Sequence, residues 1–476
     1  MKHLLQNIRQ LTQPICNDVA TQKQHTQTLS IWEGSLWSIM WGMGESYIAP
    51  YALFLGAGNL VMAFIGTAPV LITAAAQLVG AVLLDQIGRR KPIICTGTIL
   101  QSAALVPLFF LPLMLPVGGM AALVVCIILY FFAFGVCVSP WISMMGDVVE
   151  MEERGSYFSN RSRICTYAMV TGLMLAGIIT NAWKAVGYTA VGFGFLFGTA
   201  AIARYTCFLL IRHHYDAPLK HQEFEDTFSF WDFLRGFRTS NFTRFTCTIG
   251  LMNGTTNIAG PFFAVYMLRD LDWSYLQFTF NMLTFLISQT LFVRWWGGIG
   301  DRHGNRSVLV ATSCLLPVLP ELWIFSSNYI YLLFAQLVSG ATWSGFNLAA
   351  TNFVYDSVPQ TRRARAFSYY SMANGCFSVI GGMLIGAFIA EHAPTEINLG
   401  MVRVTLLSSL PVVFVASGIA RAIAAAIMLP QFSEVREIEP ISTGRILWRL
   451  GVGQPLFGQV GAFMPRIRAL ISPKTK

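Results

Sequence analysis

The chain has 476 residues, of which 54% are hydrophobic and only 12% are charged. A soluble domain typically carries about 25% charged residues. With a mean hydropathy of +0.56, this composition excludes a disordered chain, a collagen-like chain and a small disulfide-stapled secreted domain, and it points to a polytopic membrane protein.

The net charge of +9 would suggest nucleic acid in a soluble protein. Here the basic residues mark the inner loops of a membrane bundle, and no nucleic-acid partner is expected. Most of the nine cysteines lie in apolar stretches without Cys-x-x-Cys spacing. They read as packing residues, so neither a metal nor another cofactor is expected.

In chain order, residues 1–30 form a polar N-terminal tail. Apolar segments of spanning length then start near Ile31, Leu60, Pro92, Met120, Ile164 and Gly187. A charged central loop, 213–241, contains Phe228-Ser229-Phe230-Trp231-Asp232-Phe233-Leu234-Arg235, either a surface-lying amphipathic helix or a solvated linker. Six more segments start near Phe242, Tyr275, Ser307, Ile330, Phe367 and Met401, and a basic tail occupies 430–476. The segments are continuously apolar rather than alternating, which excludes a β-barrel. The expected fold is therefore an all-α membrane protein of twelve transmembrane helices, in two six-helix bundles over 31–212 and 242–429.

Alternate loops differ sharply in charge. One side collects Arg89, Arg90, Lys91, Arg154, Arg161, Arg163, Arg302, Arg306, Arg362, Arg363 and both tails; the other has only Lys184, Arg269 and Arg403. That bias puts both termini in the cytoplasm.

The two halves are also copies. Asp85-Gln86-Ile87-Gly88-Arg89-Arg90 ends the second span and Asp301-Arg302-His303-Gly304-Asn305-Arg306 the eighth. Asp147, Arg154 and Phe158 match Asp356, Arg363 and Phe367 at constant spacing, Ile202-Ala203-Arg204 matches Ile419-Ala420-Arg421, and Pro50 matches Pro261. Both copies start inside, so the repeat is parallel and implies a cavity between halves near the bilayer midplane.

The Asp-x-x-Gly-Arg-Arg loop, echoed with Gly297 four residues before Asp301, resembles the loop signature of the major facilitator superfamily. The first copy has Ala81 in place of the leading Gly and Gln86 in place of a basic residue. The resemblance is to the poorly characterised bacterial-type members and supplies no substrate. It implies a plasma (inner) membrane transporter, and it implies that Asp85, Gly88, Arg89, Arg90, Gly297, Asp301, Arg302, Gly304 and Arg306 brace the halves in an outward-open state. Asp147, Arg154, Asp356 and Arg363 are expected in the same inner-surface networks.

Glu45 is the most informative single residue. Counted from Ile31 at about 1.5 Å per residue, it lies about 20 Å into the membrane, where an ionisable group is costly. It reads as a protonation switch or a counter-ion, the alternative being a hydrogen-bonded Glu that locks span one to a neighbour. In span seven, Asn253, Thr256 and Asn257 supply polar groups on a weakened helix, and Trp343 and Asn347 in span ten are candidates of the same kind. Trp141 reads as an interface anchor, Gln101 as packing, Arg204 and Arg421 as structural, and Glu33 as an interfacial or helix N-terminal acid.

No catalytic constellation or ATP-binding motif is present in the sequence, so no enzymatic activity is expected. The expected function is secondary active transport of a small solute by alternating access, coupled to protons, by a monomer in the lipid bilayer. Facilitative uniport, or a non-transporting sensor or assembly partner of the same fold, is the alternative.

Overall fold

The computed structural model describes residues 18–451 other than 115–118, 218–234, 236–239, 359–362, 395, 400, 401, 407, 439 and 440. The expected amphipathic piece before Arg235 and the tail beyond 451 lie outside them.

Among the described residues there are twelve helical spans. α1 runs in two pieces, Val19–Met43 and Ile48–Phe54, joined by a tight turn at Glu45–Tyr47. α2 is Asn59–Ile87, α3 Arg90–Met114, α4 Gly119–Val148, α5 Arg154–Ala185 and α6 Thr189–Ile211. α7 is broken into Asn241–Asn257 and Phe262–Val265, and α8 is Tyr275–His303. α9 is broken into Asn305–Leu315 and Val318–Glu321, and α10 is Tyr329–Ser357. α11 runs as Arg363–Val379 and Ala387–His392 around a wide π turn, and α12 is Leu410–Met428.

Eight of these helices are long and apolar enough alone to cross a membrane. The other four are the interrupted α1, α7 and α9, and α10, whose apolar run is broken by Gln336, Ser339, Thr342, Ser344 and Asn347. The interruptions have a local cause. Pro50 lacks the N–H that would bond Ser46, and its ring opposes a continuous helix there. Gly44 adds conformational freedom just before it. Pro261 opens the second piece of α7 and Pro317 that of α9.

Three boundaries differ from the sequence expectation, one of them the start of α5 at Arg154, ten residues before Ile164. α1 starts at Val19, twelve residues before Ile31, because Asp18 caps it by accepting the backbone N–H groups of Ala20 and Thr21, each at 3.3 Å. Hydropathy marks where lipid begins, not where a helix begins. The last span starts at Leu410 rather than Met401, since Glu396–Leu399 (β1) and Val402–Thr405 (β2) pair as an antiparallel hairpin. β-branched residues there favour the extended chain.

The chain sorts into two compact units. The first holds Met1–Phe228, Asn257–Phe280 and Ser371–Leu410; the second holds Ser229–Thr256, Asn281–Tyr370 and Pro411–Lys476. In the first, α1 and α5 cross at glycines: a Cβ on Gly42 would lie 2.6 Å from the Met169 carbonyl oxygen. Such approach is the small-residue packing that membrane helices use. The second is built on Trp296, fully buried, whose indole N–H donates to the Ala341 carbonyl at 2.8 Å. Phe245 stacks on Phe353 in the same core, at 4.2 Å between centroids. A short helix, α13 (Thr443–Gly451), brings Ile446 of the tail into that core.

Candidate functional site

The break in α1 creates the first part of the site. Ser46 Oγ donates to the Trp41 carbonyl left over at the helix end, at 3.1 Å. Glu45 sits at the break and has both carboxylate oxygens engaged: Trp41 Nε1 donates to one at 3.0 Å and the Tyr130 hydroxyl of α4 to the other at 2.8 Å. A carboxylate between two neutral donors, with no ion pair within 4.0 Å among the described residues, is a group whose charge depends on its surroundings.

The second part lies three turns toward the inner end. Glu33 is 5% exposed, and it faces two guanidinium groups, Arg161 of α5 at 3.4 Å and Arg204 of α6 at 3.7 Å. Arg204 is itself buried and donates from Nε to Gln101 Oε1 of α3 at 2.6 Å. Arg161 donates to the carbonyl and hydroxyl of Ser30, each at 3.2 Å, and stacks over Trp141 at 4.6 Å. Glu33, Trp37, Trp41 and Glu45 recur every fourth residue, the spacing that places side chains one above another along a helix.

Two sequence expectations change here. Glu33 is not an acid at a helix start but lies within α1. Arg204, expected to be structural, is held by side chains in the bundle. Trp141 is no interface anchor, for it lines a cavity of about 270 Å³ together with Glu33, Trp37, Arg161 and Arg204.

The repeated arginine of the second unit has different company. Arg421 donates to the Leu316 carbonyl at 2.9 Å, to the Thr256 carbonyl at 3.4 Å and to Ser417 Oγ at 3.1 Å. Leu316 and Thr256 stand at the interruptions of α9 and α7, where carbonyls lose their helical partners. Arg421 therefore repairs broken helices, while Arg204 contacts ionisable and amide side chains.

Thr256 keeps its own hydroxyl buried without a hydrogen-bond partner among the described residues. Asn253 and Thr256 are half-buried in the second unit, Trp343 packs edge-on against Phe346 at 5.4 Å, and Asn347 is exposed. Asn257 belongs to the first unit and donates to Ser378 Oγ at 3.1 Å.

The inner loops form one network in each unit. Arg90 pairs with Asp147 at 2.7 Å and with Asp216 at 3.8 Å, and Asp216 also accepts the Lys91 backbone N–H at 3.0 Å. In the second unit Glu434 accepts the Arg306 backbone N–H at 2.7 Å. Asp356 there accepts from Asn305 at 2.8 Å and pairs with Arg436 at 2.9 Å. An acid just beyond the sixth helix of each repeat thus caps the start of its third helix, where the helix dipole favours negative charge. Asp216 and Glu434 were absent from the expected set.

Gly88 and Gly304 make the turns with φ of 67° and 85°. Asp85, Arg89, Asp301 and Arg302 are exposed and make none of these bonds. Gly297 leaves room for a side chain, the nearest atom to an added Cβ being 3.6 Å away. Arg154 donates to the Gly146 and Val149 carbonyls rather than to Asp147. The Arg363 side chain lies outside the described residues.

The first unit also carries a seam at the end of the helices opposite the Asp-x-x-Gly loops. The Tyr47 hydroxyl of α1 lies 2.5 Å from Thr279 Oγ1 of α8. A Cβ on Gly177 of α5 would lie 2.8 Å from Thr279 Cβ, and Asn59 of α2 donates to the Ala390 carbonyl of α11 at 3.2 Å.

Twelve helical spans among the described residues, in two six-helix repeats, make this a multi-pass membrane protein. The profile of the Major Facilitator Superfamily matches twice, over residues 33–254 and 245–464. The chain belongs to that superfamily.

A stretch of 103 residues is 31% identical to the efflux pump azaK of Aspergillus niger, 22% of each chain. Another of 110 residues is 28% identical to the class B tetracycline resistance protein of Escherichia coli, 23% of this chain and 27% of that one. The matched stretches thus span about a quarter of those relatives' own length. The fold is similar to that of the nucleoside transporter NupG, with TM-score 0.63, 13% identity and coverage of 86% of this chain and 98% of that one. It is also similar to a POT family transporter solved with 5-aminolevulinic acid, with TM-score 0.62, 13% identity and coverage of 85% and 95%.

Proposed function

We propose that the protein is a secondary active transporter that moves a small solute by alternating access, driven by protons through Glu45, Arg204 and Glu33. Residues 31–212 and 242–429 are its rocking halves, both termini are cytoplasmic, and the protein works as a monomer in the plasma (inner) membrane without enzymatic activity. The names of the two curated relatives, an efflux pump and a drug-resistance protein, support a solute-moving role.

The observation that carries the reading is the buried charge network along one face of α1. Arg204 is in ion-pair range of Glu33, and Glu45 lies three turns along the same face. With both carboxylates ionised, the two guanidiniums Arg161 and Arg204 are matched by the two carboxylates Glu33 and Glu45, and this network is balanced. A proton on Glu45 leaves one buried positive charge in excess. An uncompensated buried charge is costly, so that state recruits a compensating charge or rearranges. Protonation and conformation are thereby linked.

The test uses proteoliposomes loaded with a pH-sensitive dye and challenged with a panel of organic solutes. The expected result is internal pH movement that depends on solute and on the protein. Solute flux without proton movement indicates a uniporter. Binding without flux indicates a sensor or assembly partner, and overturns transport.

A further inference from the structure

We propose that the cavity beside Arg161 and Arg204 takes a monovalent organic anion carried on an aromatic body. That this anion is the transported solute rests on the transporter reading above; the binding itself does not.

The wall has more donors than acceptors. Each guanidinium offers five N–H groups. Among the described residues their side-chain acceptors are Ser30, Glu33 and Gln101, and both Glu33 oxygens are already shared between the two arginines. Trp141 Nε1 adds a buried donor without an acceptor among the described residues.

A buried donor without a partner is costly to leave so. A carboxylate supplies two oxygens and pairs with arginine in a planar, bidentate way. A cation finds no vacant acceptor here, because the one carboxylate lining the cavity is occupied.

The rest of the wall is apolar. Trp37 and Phe134 stack with centroids 6.0 Å apart and planes 16° apart, and the indole face of Trp141 lies under Arg161. The volume, about 270 Å³, lies near the lower end of small-ligand pockets, about 300 Å³, which suits one fused ring pair with a short acid arm. The anion's charge also balances the positive excess created when Glu45 holds a proton, so anion and proton are taken up together.

Naphthaleneacetate, naphthaleneacetamide and naphthylethylamine share one body and differ in charge. Titrated calorimetrically into the full-length protein in phosphatidylcholine nanodiscs, the acetate is expected to bind about ten- to hundred-fold more tightly than the amide, and the amine not at all. Trp141→Phe keeps the ring and removes the N–H; it weakens the acetate about ten-fold. Glu45→Gln, which fixes the neutral form, retains acetate binding and removes its pH dependence.

Amine binding equal to or tighter than acetate overturns the proposal, as does absence of acetate binding. Displacement of the acetate by added phosphatidylglycerol assigns the donors to a lipid headgroup and overturns a soluble solute. Acetate binding without solute flux in proteoliposomes would leave this site standing and refute the transport reading; flux without acetate binding would do the reverse.

Discussion

Arg204→Met is expected to lower the melting temperature of the purified protein by more than any other single change in the charge network. Removing one partner of a buried ion pair costs about 3–5 kcal/mol, because the other charge stays buried without compensation. Arg204 is 4% exposed and meets both Glu33 and Gln101, so its loss orphans a carboxylate and a side-chain amide together. Arg161 still reaches Glu33 and keeps the loss from being total. Replacing both members, Arg204→Met with Glu33→Met, restores most of the stability, since apolar residues of similar volume substitute well for a buried pair. The double variant does not recover proton-driven flux. Thermal melts of the three proteins in one detergent check the first claim, and an unchanged melt for Arg204→Met contradicts it. Arg421→Met is the matched comparison, in which backbone carbonyls rather than a carboxylate are left over.

Gly177→Leu is expected to hold the Tyr47–Thr279 seam apart. A Cβ at Gly177 would already lie 2.8 Å from Thr279 Cβ and 3.2 Å from its Cγ2, and Thr279 is fully buried and in contact with Tyr47. Overpacking of this kind costs about 1–3 kcal/mol. Placed at a contact that forms in one state and parts in the other, that cost shifts the populations by roughly 5–150-fold. In a background cleared of native cysteines, Thr279→Cys reports the change. A membrane-impermeant maleimide added outside labels it slowly with Gly177 present and fast with Leu in its place. Equal labelling rates mean that the seam does not open to the outside.

Much of the fold was legible because its signals are local or periodic. Spanning segments, loop charge and the twofold recurrence of Asp-x-x-Gly all survive without knowledge of packing. In the sequence Pro50 and Pro261 register only as a repeat match; that they interrupt α1 and α7 follows from the geometry of their own rings. Glu45 stood out because a carboxylate in an apolar stretch contrasts with its neighbours.

The partners of that carboxylate were not legible. Glu33 and Arg204 are far apart in the chain and meet only through the packing of α1 on α6. Glu33 was misplaced for a second reason, since the helix begins at Asp18, in polar sequence that hydropathy does not register. The i, i+4 series of Glu33, Trp37, Trp41 and Glu45 was the available signal, and it points at the same stripe the structure reveals. The repeat itself misled in one respect. Arg204 and Arg421 match in sequence, yet one contacts ionisable and amide side chains and the other mends broken helices. Equivalent positions keep backbone geometry more faithfully than they keep chemistry. Asp216 and Glu434 escaped because the chain beyond a last helix has no periodicity to place it.

The central claim is that protons act through Glu45, and it is tested most directly by Glu45→Gln in the dye-loaded proteoliposomes. Gln keeps the shape and one acceptor for Trp41 or Tyr130 but cannot ionise. The account predicts that solute-dependent proton movement disappears while exchange of labelled solute for unlabelled solute, at equal pH on both sides, continues at a rate near that of the unsubstituted protein. Proton movement that persists in Glu45→Gln, with exchange intact, would contradict it and return Glu45 to a purely structural role as the link between α1 and α4.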